Sequence, residues 1–148
     1  MASSRVVIHL NGVDKKLIRM ASKIDDMRTP LKRSETYMKG AIARRFNSGG
    51  GSRPWKPLSP ATIKRHPHRA GGKPLLDTGR LKNSVSSGDI GKITGKRLYI
   101  SLGSAVKYAA AHNFGYKQIP KREFLYFDET DEKMIKRIFE DWVREVTS

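Results

Sequence analysis

Asp77-Thr78-Gly79 is the first group in this chain whose residue types suit chemistry. A carboxylate on a glycine turn can direct water at a peptide bond, provided that a second carboxylate shares its proton. The phrase occurs once in the chain, so a homodimer would have to supply the pair. Arg80 follows the glycine directly, and a cation there opposes a shared proton. The plainer reading is a turn or the start of a helix, with Asp77 accepting backbone N–H bonds and Gly79 supplying conformational freedom. His66 and His68 share a segment that contains no carboxylate, His112 stands apart, and there is no cysteine. That pattern offers no metal-ligand spacing. Gly49-Gly50-Gly51 follows a helical pattern and lacks the lysine-hydroxyl ending of a phosphate-binding loop. No serine or histidine has a nucleophile's setting, so the sequence points away from an enzyme and implies no cofactor.

The elements that must position these residues make an α+β chain: N-terminal helices, a long extended loop, a small antiparallel β-sheet and a C-terminal amphipathic helix. Arg5 to Leu10 is short and β-branched and ends at Asn11-Gly12, which predicts a strand and a turn. Val13, Leu17, Met20, Ile24 and Met27 recur at helical steps. Thr29-Pro30 breaks that helix and starts another, whose inward face is Leu31, Met38, Ala41, Ile42 and Phe46 and whose end is Asn47 to Gly49. Asn83 to Ser87, Asp89 to Thr94 and Arg97 to Leu102 read as a meander of three strands, with Phe124 to Phe127 as a final strand. Asp128 to Thr130 opens a helix whose apolar face is Met134, Ile135, Ile138, Phe139, Trp142, Val143 and Val146. Residues 1–148 form a single domain, within which 48–74 is an extended basic loop or arm rich in glycine and proline. Trp55 and Leu58 in that arm predict a segment that orders against a neighbouring subunit or partner.

Charge narrows the function classes. Lys and Arg number 30 against 14 Asp and Glu, a formal net charge of +16. No carboxylate occurs between Glu35 and Asp77, whereas residues 123–148 hold eight carboxylates against four bases. Such a field attracts polyanions, and it also lets the basic part of one copy meet the acidic helix of the next. Arg53, Lys56, Lys64, Arg65, Arg69 and Lys73 are therefore candidates either for contacting a nucleic-acid backbone or for pairing with Glu129 and Glu132 of a neighbour. Nothing matches a helix-turn-helix, a zinc finger or an RNA-binding sheet. No apolar run approaches a membrane span, and Val6 to Leu10 is too short for a secretory segment, so a soluble chain made in a cytoplasm is expected.

Four phrases, in order and spacing, resemble one known family. They are Trp55-Lys56-Pro57-Leu58-Ser59-Pro60-Ala61-Thr62-Ile63 after a glycine-bearing loop, and Leu75-Leu76-Asp77-Thr78-Gly79-Arg80-Leu81 followed by Ser84-Val85. Then come Tyr108-Ala109 with His112-Asn113-Phe114-Gly115, and Ile119-Pro120-Lys121-Arg122-Glu123-Phe124. From about Phe46 to the C-terminus the chain resembles the phage virion morphogenesis (tail completion) family, departing from its usual closing phrase at Lys121 and Glu123. The resemblance implies a non-enzymatic, tail-terminator-like part of a tailed bacteriophage or prophage virion, assembled in the host cytoplasm. It implies a homo-oligomeric ring, commonly of six copies, capping the tail tube at the head-tail junction. The partners implied are the tail tube and the neck (connector) proteins, with non-specific contact to passing DNA and no membrane. The alternatives are a head-side neck protein and a non-specific DNA-binding protein.

Overall fold

The computed structural model describes residues 5–8 and 26–147. The helix expected over Val13 to Ile24 lies outside the described residues. Strand β1 (Arg5–Ile8) is followed by the long helix α1 (Arg28–Ser48), and α2 (Pro60–Arg65) leads to a single 3-10 turn at Pro67–Arg69. Helix α3 (Arg80–Ser86), strands β2 (Gly91–Thr94) and β3 (Arg97–Ser101), α4 (Ala109–Phe114) and α5 (Glu129–Thr147) complete the order. The sheet is antiparallel in the order β1-β3-β2, with Val6 opposite Ile100 and Lys92 opposite Tyr99. The architecture is α+β.

Helix α1 forms where its apolar residues recur at steps of three and four. Leu31, Met38, Ala41, Ile42 and Phe46 are all buried, and Pro30 sits in the first turn, where no intrahelical N–H bond is lost. Gly49 ends the helix with φ 73°, and its N–H bonds to the Arg45 carbonyl. Helix α5 turns Ile135, Phe139, Trp142 and Val143 into the same core, with Met134 and Ile138 half-buried and Val146 exposed. Leu98 and Ile100 of β3 and Leu81 and Val85 of α3 close it.

Two expected strands are not strands. Asn83 to Ser87 lies in α3 and the turn that ends it. Leu81 and Val85, four residues apart, are its buried face, while the hydroxyls of Ser84, Ser86 and Ser87 bond back to the carbonyls of Leu81, Lys82 and Asn83. Those internal bonds make serine compatible with a short helix. Phe124 to Phe127 is extended but joins no sheet. Its backbone bonds to side chains instead: Phe124 N and Leu125 N donate to Asn113 Oδ1, while the Phe124 and Tyr126 carbonyls accept from Arg45.

Residues 48–74 are also more ordered than their composition suggests. Trp55 is buried in its own chain's core, 5.3 Å edge-on from the Phe46 ring, and its indole N–H donates to the Glu123 carbonyl at 2.8 Å. The expectation that Trp55 waits for a neighbour is thereby corrected. The glycine run makes this fold-back possible. Gly50 has φ 117°, and a Cβ there would lie 2.3 Å from the Arg53 carbonyl and 2.8 Å from the Trp55 ring.

Arg45 crosses the interior to reach α5. Its guanidinium pairs with Asp131, which is also buried, and it lies 3.6 Å from the centre of the Tyr126 ring. Tyr37 donates its hydroxyl to the same carboxylate at 2.9 Å, and burial together with that contact pushes its pKa up to about 12. Arg45→Met strands the Asp131 carboxylate in the core, and a loss of about 3–5 kcal/mol in urea unfolding is expected. A loss below about 1 kcal/mol, the range of exposed pairs, would contradict this role.

Candidate functional site

The four sequence phrases converge on one cleft of about 290 Å³. The tryptophan phrase contributes Leu58 and Thr62, the leucine phrase Leu75 and Asp77 to Leu81, the tyrosine–histidine phrase Tyr108 and His112, and the closing phrase Arg122. Arg69 completes the lining.

Each phrase is held by capping and latching bonds that its residue types permit. Ser59 caps α2 by accepting from Thr62 N at 3.1 Å, with Pro60 as the first helical residue. Arg69 is buried and donates to the carbonyls of Leu76 (2.8 Å) and Lys73 (3.0 Å). Those bonds span Leu75, which is held at φ 61°, a conformation that costs a bulky residue on the order of 1–3 kcal/mol. Gly79, at φ 82°, opens α3, and Thr78 Oγ1 accepts from Arg80 N at 3.3 Å. The hydroxyl of Thr78 thus takes the bond expected of the Asp77 carboxylate. Asp77 is half exposed and instead faces His68 (3.3 Å) and Arg69 (3.8 Å).

The closing phrase is locked to the others. Arg122 N donates to the His112 carbonyl at 2.8 Å, and its guanidinium donates to the carbonyls of Lys56 (2.8 Å) and Pro57 (2.9 Å). Arg122 is buried, and none of these partners is a carboxylate. Burial lowers its pKa below the ordinary arginine value. His112 is also pushed down, by burial first and by the Arg122 charge second, and its Nδ1 is buried with no hydrogen-bond partner. The cleft therefore sets three arginines against the single carboxylate of Asp77. That carboxylate has no second one in the lining to share a proton with, so the arrangement suits anion recognition and not paired-carboxylate hydrolysis.

The other candidate residues separate into unlike groups. Lys64 and Arg65 stand exposed in the last turn of α2 without an ion pair among the described residues, and Lys56 is exposed while its carbonyl holds Arg122. Arg53 is engaged, bonding Glu123 at 2.7 Å and lying over the Tyr126 ring, and Lys73 donates to the Asn47 carbonyl. Arg69 is a buried latch on the Leu76 and Lys73 carbonyls, unlike the exposed bases of the same segment. Leu58 lines the cleft and is half-buried. Glu129 and Glu132 are exposed in the first turn of α5 and do not line this cleft. His66 and His68 meet edge to face at 5.9 Å, and no group of three His, Asp or Glu side chains converges among the described residues. Sequence reasoning missed Arg80, Arg122 and Tyr108 as parts of one site. Their signal was membership of the phrases themselves.

A family model described as the phage virion morphogenesis family matches residues 8–144, extending well before Phe46, where the resemblance was expected to begin. No curated protein and no solved structure gives a match. No described helix is long and apolar enough to cross a membrane.

The lowered pKa of His112 has a pH signature. The folded state holds the imidazole neutral, whereas the unfolded chain takes up a proton near the ordinary value of about 6.5. Stability from this group is complete above that value and is lost as pH falls toward the lower folded pKa. Urea midpoints measured at about pH 7.5 and about pH 5.5 should drop more for the native chain than for His112→Gln. Equal drops would show that His112 carries no such linkage.

Proposed function

The chain belongs to the phage virion morphogenesis family, and on that premise we propose that it is a structural tail terminator, or tail completion protein. In this reading the protein forms a homo-oligomeric ring, of six copies, on the tail tube at the head-tail junction, and meets the neck proteins there. The observation that carries it is how the four phrases are used. Their polar groups latch one segment to another and line a cationic cleft, and they assemble no nucleophile, base or paired carboxylate. Large exposed apolar groups fit a protein that works by contact: Tyr108 of the cleft, Phe114 and Tyr116 are each 42–58% exposed. Charge supports repeated head-to-tail contacts, because exposed Glu129 and Glu132 belong to the acidic C-terminal helix of a chain with net charge +16. Contacts between unlike patches generate rings when the rotation closes.

A second reading, sequence-blind DNA contact at the head-side neck or in the channel, is favoured by exposed Lys56, Lys64 and Arg65. Phosphate contacts of that kind weaken steeply with salt. Reversing charge at Lys64 and Arg65 separates the roles: loss of salt-sensitive DNA retention with unchanged oligomer mass assigns them to DNA, and loss of the oligomer assigns them to the interface.

Native mass measurement of the purified chain, alone and with tail tubes, tests the proposal. A closed oligomer in either condition is expected, and a monomer in both would overturn it. Asp77→Asn should change no peptidase activity at acidic pH. Cleavage by the native chain that this variant abolishes would return the protein to the enzymes.

A further inference from the structure

The cleft is a poor fit to a small-molecule site. About 290 Å³ is below the usual range for pockets that enclose small ligands, and the lining carries the charged side chains of Arg69, Asp77, Arg80 and Arg122. Two of its arginines lack a carboxylate among the described residues. Among the described residues Arg122 is buried and held by carbonyl oxygens alone, while Arg80 is exposed and its guanidinium has no partner. A buried cation without a counter-charge is costly unless a partner supplies one. Leu58 and Leu75 form apolar walls beside them, which lower the local dielectric and strengthen any pair made there.

The chain's own carboxylates identify a complement. Asp26, Glu35, Glu123, Asp131, Glu140, Asp141 and Glu145 each have an ion-pair partner, and Asp128 is hydrogen-bonded to Ser52. Asp77 already belongs to the cleft. Among the described residues this leaves Asp89, which stands singly, and Glu129 with Glu132. The last two lie three residues apart in the first turn of α5, so they share a face with Cβ atoms about 5–6 Å apart. They present two unpaired carboxylates from a rigid helix end.

Resting on the ring reading above, we propose that the cleft is the receptor for the α5 tip of a second copy, with Glu129 and Glu132 of that copy pairing with Arg80 and Arg122. Neither glutamate lines the cleft of its own chain, so the contact joins two different patches and is head-to-tail. It gives each subunit one donor end and one acceptor end, which is what a closed ring requires. Tyr108, at 42% exposure on the rim, supplies a broad apolar surface against which the incoming helix end packs.

Arg80 is the residue to test, because it is exposed and latches nothing, whereas Arg122 also holds the loop at Lys56 and Pro57. In sedimentation of the full chain over a concentration series, R80E should weaken self-association by at least about tenfold, since it sets like charges face to face. The double variants R80E/E129R and R80E/E132R each exchange one charge pair and leave one glutamate for Arg122, and one of the two should restore association. DNA retention by R80E should match the native chain at equal salt. If the native chain forms rings and R80E forms them equally well, this contact is wrong while the ring reading stands. If R80E loses association and neither double variant regains it, the glutamates are not the occupants. If R80E keeps its mass and loses DNA, the cleft serves phosphate. A native chain that stays monomeric both alone and with tail tubes removes both proposals together.

Discussion

The Arg45 guanidinium is the contact on which the rest of this structure depends. It rises from α1, pairs with Asp131 of α5, and bonds the carbonyls of Phe124 and Tyr126 on the way. The Asp131 carboxylate also accepts from Tyr37 and from the backbone N–H of Asp128, and Asp128 returns the bond to Asp131 N. Buried ion pairs add little net stability unless both members are fully hydrogen-bonded, which these two nearly are. Their effect is to fix geometry. Three segments far apart in sequence acquire one arrangement, and the segment between them is held extended without any neighbouring strand.

The candidate site inherits that geometry. With Phe124 and Leu125 held from one side by Arg45 and from the other by Asn113, the chain just before them delivers Arg122 beneath the Lys56 and Pro57 carbonyls. Trp55 seals the same junction by bonding the Glu123 carbonyl and packing on Phe46. The four family phrases are thus parts of one interlocked unit. What they leave over at the surface is a cationic cleft, the proposed receptor for α5 of a second copy.

Much of the fold was legible in the residues. Helices α1 and α5 follow from apolar spacing, the stop at Gly49 from its conformational freedom, and β2 and β3 from short β-rich runs around Gly95. The failures have physical causes. Ser84, Ser86 and Ser87 resemble a strand by type, yet the four-residue step from Leu81 to Val85 set the period and their hydroxyls bonded inward. Phe124 to Phe127 has the composition of a strand, but side chains took the place of ladder partners. Trp55 in a glycine–proline segment suggests an arm, although those glycines provide the tight turn that seats it at home. Within the site, the phrases announced that something was built. The inward turn of Arg122 depended on bonds to Lys56 and Pro57, 66 and 65 positions away, which no local pattern encodes.

The central claim is that two different patches of this chain meet between copies. The chain has no cysteine, so introduced thiols report on that meeting without background. Arg80→Cys and Glu132→Cys placed together, oxidised mildly and run under denaturing, non-reducing conditions, test it most directly. The account predicts a ladder of covalent multiples ending at the ring size, with each single variant reaching no further than dimer. A paired variant that cross-links no further than the single variants would contradict the head-to-tail contact.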